Sequence, residues 1–354
     1  ISELRAAWQG NMDELNSYTL KARFDDLALK ARAYFPGVSG VSGVVDANEK
    51  GGSAELRAKG VTLELPMVFP EPAIALDTLN AQARWKISQG QLDAELLRAE
   101  FAGADAAGAA RGTYRFNGEG PGTVDLTASL SRAEARAVWR YLPRVVNTDA
   151  RHWVRDALKA GTASEAKLVL KGDLAHFPFL DRSQGQFLVT VKARDVVLDY
   201  AQGWPVISGI EADLRFEGAG MVVEAKRGAI LGARLGPTRA QIADFDAPVA
   251  TLKVKGVAEG ETAEFLKFIA QSPVAAQIDQ FTAAMGAIGK GRLDIGLAIP
   301  LAEAHLPESK VDGSYTFLAN EVTLDPALPP LRQVNGTLNF SEKDLRINEI
   351  AASF

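Results

Sequence analysis

Apolar and polar residues alternate along most of this chain, and the alternation stumbles at recurring places. Val191-Lys192-Ala193-Arg194-Asp195-Val196-Val197-Leu198 begins on one parity, sets Arg194 and Asp195 side by side, and resumes on the other. Leu56-Arg57-Ala58-Lys59-Gly60-Val61-Thr62-Leu63 and Phe317-Leu318-Ala319-Asn320-Glu321-Val322-Thr323-Leu324 repeat the phrase, and Ala22-Arg23-Phe24-Asp25-Asp26-Leu27-Ala28-Leu29 is a looser copy. Period-two alternation predicts strands, and a slip of one residue turns every later side chain to the opposite face. A β-bulge absorbs such a slip, and Gly, Asp, Asn or Glu suits that point. Each phrase therefore reads as a bulged strand with one apolar face.

Around the phrases the chain reads as hairpins. Residues 1–19 are a lead-in, with Leu4-Arg5-Ala6-Ala7-Trp8 as the end of a helix. Further strands are expected at 38–45, 79–87, 92–101, 111–116, 165–172, 207–216, 221–230, 239–245, 249–257, 292–299, 331–340 and 345–354. Pro66, Pro70 and Pro72 mark a loop, because proline removes a ladder donor. The Ala/Gly-rich stretch 103–110 reads as a loose turn.

Twice the period changes. Ala135, Val138, Trp139 and Leu142 form a helical stripe, Ser131 and Glu134 suit a capping box, and Pro143 ends the helix. A second helix follows, capped at Thr148-Asp149, with Trp153, Val154, Ala157 and Leu158 apolar and Gly161 closing it. The second pair carries Phe265, Phe268 and Ile269, is broken by Pro273, and continues over 274–285 to Gly286 and Gly289. The two insertions span 131–161 and 261–289.

These features recur together. Ala58 and Ala193 lie 135 residues apart, Ala193 and Ala319 126 apart, and Pro143 and Pro273 130 apart. A block of roughly 130 residues thus repeats, which predicts one continuous repetitive β structure over 1–354 rather than separate domains. Two short helix pairs cannot roof so many strands, because a helix rises only about 1.5 Å per residue. Either the sheet closes on a dry core, or it curls into a groove whose lining awaits an apolar ligand. The lining candidates are Leu27, Leu29, Val61, Leu63, Leu65, Val196, Leu198, Tyr200, Val322 and Leu324, joined by Ile207, Ile210, Leu214 and Phe216.

Composition narrows the function. The chain has 354 residues, 23% charged and 47% hydrophobic, which is foldable composition. Net charge is −5 with both signs interleaved, a poor footprint for nucleic acid. Cysteine is absent, which excludes disulfides and thiolate chemistry. The start at Ile1 and the stop at Phe354 inside a strand-like run read as a piece of something longer. No 18-residue apolar run predicts a membrane span. Gly286-Ala287-Ile288-Gly289-Lys290-Gly291 lacks the spacing and the hydroxyl of a phosphate loop. His152 and Asp156 have metal-pair spacing but read as a solvated helix face, so no metal, cofactor or catalytic residue is assigned. Trp139 and Trp153 sit among arginines, and with Phe265 and Phe268 they mark helices facing either a membrane or the sheet edge.

The run Tyr141-Leu142-Pro143, Trp153, Ala160-Gly161, Leu168-Val169-Leu170-Lys171-Gly172-Asp173-Leu174 and Phe177-Pro178-Phe179 resembles the signature stretch of the YhdP proteins. These are AsmA-like envelope proteins of Gram-negative bacteria, related to TamB. The resemblance implies a mainly β fold: a long, curled, repetitive antiparallel sheet forming an open hydrophobic groove, punctuated by two short helix pairs. It also implies a periplasmic segment of a bridge-like lipid transfer protein anchored in the inner membrane. Phospholipids would be the partners and the two membranes the endpoints, with no catalytic motif to transfer. The rival reading is an envelope scaffold that offers its sheet edge to client strands.

Overall fold

The computed structural model describes residues 1–11, 14–32 and 36–353. The fold is mainly β: the described residues form nineteen strands in one sheet, antiparallel to their neighbours wherever a register is defined, with a few short helices. The chain divides into two compact units, Ile1–Arg155 with Ala163–Val191, and Asp156–Thr162 with Lys192–Phe354.

The first unit runs β1 (Glu3–Asn11), β2 (Glu14–Leu29), β3 (Gly37–Asn48), β4 (Gly51–Glu64), β5 (Ala73–Ser88), β6 (Gln91–Ala102), β7 (Ala106–Phe116) and β8 (Thr123–Glu134), each paired with the next. A 3-10 helix (Ala135–Tyr141) and α1 (Thr148–Ala157) follow. Strands β9 (Leu158–Asp173) and β10 (Gly185–Leu198) give residues to both units. The second unit continues with β11 (Ile207–Glu217), β12 (Gly220–Ile230), β13 (Ala233–Leu235), β14 (Thr238–Ile242) and β15 (Thr251–Glu261). Then come α2 (Thr262–Ala270), α3 (Val274–Gln277), β16 (Gly286–Pro300), a 3-10 helix (Glu303–Glu308), β17 (Lys310–Thr323), β18 (Leu331–Ser341) and β19 (Leu345–Ser353). Phe354, the last residue of the expected strand 345–354, lies outside the described residues.

The stumbles in the alternation are bulges. Phe24 pairs with Gly43 and Leu27 with Val41, so β2 carries one extra residue there. Asp26 takes a left-handed φ of 53° at that point, and its N–H donates to Ser42 Oγ at 3.2 Å. Gly60 and Asp195 hold the same conformation at 69° and 51°. In the fourth phrase the bulge falls at Ala319, φ 52°, two residues before the Glu321 that the alignment of phrases points to. Each of Asp26, Asp195 and Ala319 is answered fourteen residues later by a left-handed residue in the next strand: Gly40, Gly209 and Gln333.

The bulge keeps the apolar side chains together. Ala58, Leu79 and Ala81 belong to the first parity, and Val61, Leu63, Ile74 and Leu76 to the second. Both sets meet in one cluster, with Val61 1% exposed at its centre and Val38 and Phe101 at its margin. A left-handed residue re-aims the chain, so the slip in parity leaves the face unchanged.

Several expectations give way. Leu4-Arg5-Ala6-Ala7-Trp8 is strand β1, not a helix end, because it pairs residue by residue with β2. The 103–110 stretch is largely β7; its small residues let Leu130 and Ser129 of β8 approach the backbone, and a Cβ on Gly108 would meet Ser129 O at 2.1 Å. No capping box forms: Ser131 lies in β8 and its hydroxyl donates to Ala107 O at 3.2 Å. The first helix is a 3-10 turn, and Asn147 rather than Thr148 caps α1, accepting from the Asp149 N–H at 2.7 Å. Gly161, Gly286 and Gly289 lie in strands β9 and β16, not at helix ends. Helix α3 is only four residues long, since Asp279 and Gln280 turn left-handed after it.

Candidate functional site: the apolar sheet face

Directly opposed residues on neighbouring strands point to the same side of a sheet, so the register sorts side chains into rows. In the first unit one row reads Leu20–Ala47–Gly52–Trp85–Ala94–Tyr114–Val124, and the next Ala22–Val45–Ala54–Ala83–Leu96–Gly112–Leu126. The row between them is Lys21–Asp46–Ser53–Arg84–Glu95–Thr113–Asp125, on the reverse side. The second unit repeats the arrangement. Leu214–Val223–Ala240–Val254–Leu297–Val311 and Ala258–Leu293–Tyr315–Leu338–Ile347 are apolar rows.

The reverse face is closed by ion pairs. Lys21–Asp46 (2.8 Å), Arg84–Glu95 (2.6 Å), Arg115–Asp93 (2.6 Å) and Lys171–Asp125 (2.9 Å) bridge strands in the first unit. Lys226–Asp213 (2.7 Å), Arg227–Glu211 (2.6 Å), Arg239–Glu224 and Arg292–Glu259 (3.1 Å) do so in the second. Hydrogen bonds from the arginines hold the Glu211 and Glu259 carboxyls below the usual carboxylate range. These pairs are exposed, so each adds little stability. Their consequence is orientation: one face belongs to water.

The apolar rows are not sealed. Leu96, Leu126, Leu214, Val254, Leu293, Leu297, Phe317 and Leu338 all remain half-exposed, and the buried hydrophobics are dominated by alanine and a few larger side chains. A sheet face in a closed core would bury such side chains fully.

Helical elements cover the face only locally. Phe265 of α2 packs edge-on against Tyr315 (5.1 Å), which meets Phe317 (4.9 Å). Phe268 meets Trp204 (5.9 Å), and Trp204 meets Tyr200 (6.0 Å). A buried polar chain fixes the start of α2. Tyr315 OH donates to Thr262 Oγ1 (2.8 Å), Thr262 donates to Asn320 Oδ1, and Asn320 Nδ2 donates to Lys290 O (2.7 Å). Asn320 is wholly buried, and burial pushes the Tyr315 and Tyr200 hydroxyls up to about 12. In the first unit Tyr141 OH donates to Asp105 Oδ2 (3.0 Å), and burial with that bond raises it to about 12.

The residues singled out from the sequence fall as follows. Leu214 and Phe216 lie in apolar rows of β11, and Ile207, Ile210 and Leu235 converge over Gly228. Val61 and Leu63 are in the β4–β5 cluster, and Leu65 ends the strand with its N–H on Pro72 O. Val196 is 8% exposed, laid against the backbone of Gly161; Val322 is buried opposite Ala287. Leu27 and Leu198 are half-buried, while Leu29 and Leu324 are exposed. Trp139 carries the Arg140 guanidinium 5.8 Å above its ring, and Trp153 is half out in solvent. Missed were the first-parity rows, such as Leu20, Leu56, Leu96, Leu293 and Leu297. Plain alternation marks them, without the polar doublet that marks the resumed-parity set.

The signature stretch has a packing logic. Phe179 is 3% exposed, and its ring lies on Gly172 and Gly185, where any Cβ would approach within 2.8 Å. Phe177 bridges Phe179 and Phe187.

The family model that matches is that of the YhdP protein, over residues 1–354. This chain belongs to the YhdP family. The intermembrane phospholipid transporter YhdP of Escherichia coli (strain K12) is 24% identical over 340 residues, 94% of this chain. Only 26% of that protein is covered, so the chain spans about a quarter of the length of the relative it matches. No solved structure matches. Among the described residues no helix of this YhdP-family chain is long and apolar enough to cross a membrane, and no cluster of three metal-ligating side chains occurs.

Proposed function

We propose that this chain is a periplasmic segment of a bridge-like lipid transfer protein, carrying phospholipid acyl chains along the apolar face of its sheet. The observation that carries the reading is the pairing of continuous, half-exposed apolar rows with an ion-paired reverse face. The relative's name as an intermembrane phospholipid transporter supports the choice of ligand. The sheet is read as one repetitive groove interrupted at 131–161 and 261–289, with no cofactor and no chemical step.

The mechanism is solvation. Each methylene moved from water to an apolar surface gains about 0.8 kcal/mol. Rows that continue from strand to strand let an acyl chain move without returning to water, while the headgroup stays hydrated. No side chain need be specific.

Photo-crosslinking residues at Leu126, Leu214, Leu297 and Leu338 test this, with Glu224 on the reverse face as control. Phospholipid adducts at the four apolar positions and none at Glu224 are expected. Protein adducts in their place would favour the scaffold reading, in which the sheet templates client strands.

A further inference from the structure

One corner of the first unit departs from its surroundings. The chain carries a net charge of −5. Yet residues 136–155 hold five arginines (Arg136, Arg140, Arg144, Arg151 and Arg155) against one acid, Asp149. Asp105 (3.1 Å) and Glu71 (3.9 Å) answer Arg140. Arg136 and Arg144 have no carboxylate partner among the described residues, and both are exposed.

The same corner exposes apolar side chains. The Arg144 N–H donates to Val68 O, and Arg144 Nε donates to Pro66 O, each at 2.8 Å. These bonds set the 66–69 loop beside Val145. Met67 is 59% exposed, Val68 42% and Val145 71%. The tip has a firm mount behind it: Phe69 meets Tyr141 edge-on at 6.3 Å, and Tyr141 is bonded to Asp105.

We propose that this tip seats on the surface of an anionic bilayer. Met67, Val68 and Val145 enter the boundary between headgroups and acyl chains, while Arg136 and Arg144 meet lipid phosphates. Exposed apolar side chains in a region whose arginines are not all neutralised by carboxylates are the composition of an interfacial contact. A protein partner fits less well. Stable protein interfaces bury on the order of 1,200 Å² or more, and three apolar side chains supply only a fraction of that. A bilayer needs no matching shape and responds to each cation. The contact is independent of lipid inside the sheet, because these residues stand outside the apolar rows described above.

Flotation of the purified protein with vesicles decides the matter, using phosphatidylcholine with and without phosphatidylglycerol. Binding to the anionic vesicles is expected, weaker at raised salt because the cations are exposed. Arg136→Ala should weaken it about fivefold, the worth of one surface cation. Val145→Asp should weaken it by tenfold or more. Both sites are exposed, so unchanged thermal melting serves as the folding control. Phospholipid adducts at Leu126 should persist in both variants, which separates this contact from the conduit reading. No binding, equal binding to neutral vesicles, or binding untouched by both variants overturns the proposal.

Discussion

A charge placed on the apolar face can test either transport or folding, and the structure says which. Val196→Asp would bury a carboxylate at a site 8% exposed, against the Gly161 backbone. The cost there is several kcal/mol, so a loss of function would be uninterpretable. Leu214 and Leu297 lie in one half-exposed row, Leu214–Val223–Ala240–Val254–Leu297–Val311. Giving up the partial burial of such a leucine costs about 1–2 kcal/mol, and aspartate's poor strand propensity adds less than about 1 kcal/mol. The double variant Leu214→Asp/Leu297→Asp thus loses roughly 2–6 kcal/mol against a typical 5–15 kcal/mol, so a cooperative melt is required of it before transport is read. An acyl chain crossing those positions must strip water from a carboxylate, an effective penalty of several kcal/mol. At about 1.4 kcal/mol per tenfold, even 3 kcal/mol slows passage roughly 100-fold. The assay pairs phospholipid transfer by the native-length protein with lipid adduct yield at Leu338. A double variant that melts cooperatively, yet transfers lipid and labels Leu338 as the unmodified protein does, refutes the conduit.

Three further outcomes bear on what shapes the face. Gly60→Ala should cost about 1–2 kcal/mol, the penalty of a left-handed φ alone, since a Cβ there meets nothing within 4 Å. Gly40→Ala should cost more, because its Cβ would lie 2.6 Å from Gly60 O; thermal melts in the reverse order would contradict this. Thr262→Val strands the Tyr315 hydroxyl and Asn320 Oδ1 in a buried site, which should cost about 1–3 kcal/mol and raise amide exchange in α2. The Glu342 carboxyl is held down to about 2, first by the Val311 N–H, then by its own N–H and Lys310. Its folded pKa is depressed, so its contribution is full above about 4.5 and fades as pH falls towards 2. Protection of the Val311 amide, relative to its intrinsic exchange rate, should fall in that window; a loss of protection near neutral pH would count against the assignment.

How far the fold could be read from the chain depends on whether the information was local. The bulges at Asp26, Gly60 and Asp195 announce themselves as two polar residues in sequence, which is a property of one strand. The fourth could not be placed the same way. Ala319 turns left-handed where the register with the neighbouring strand shifts, and Gln333 of that strand is left-handed too; that pairing is not visible in Phe317–Leu324. Helix ends failed for a related reason. Gly161 and Gly289 have no side chain because Val196 and Asn320 press on their backbones, and glycine after an apolar stripe looks the same as a helix cap. The first-parity rows of the candidate site needed the register of seven strands at once. Leu20 and Val124 share a face only by way of five intervening strands.

The bulge also explains how a one-sided sheet tolerates drift in its side chains. A face defined by parity asks only that alternate residues be apolar, and Leu, Val, Ala and Phe all serve in the rows here. What parity cannot absorb is an extra residue, which would send every later side chain to the ion-paired face. A left-handed residue restores the face locally, and Gly40, Gly209 and Gln333 answer it in the next strand. Backbone conformation at these few positions therefore carries a demand that no single apolar side chain does. Changing Leu297 to Val leaves an apolar row intact; changing Gly40 to any L residue puts a Cβ 2.6 Å from the carbonyl oxygen of Gly60, so the backbone at the bulge must shift.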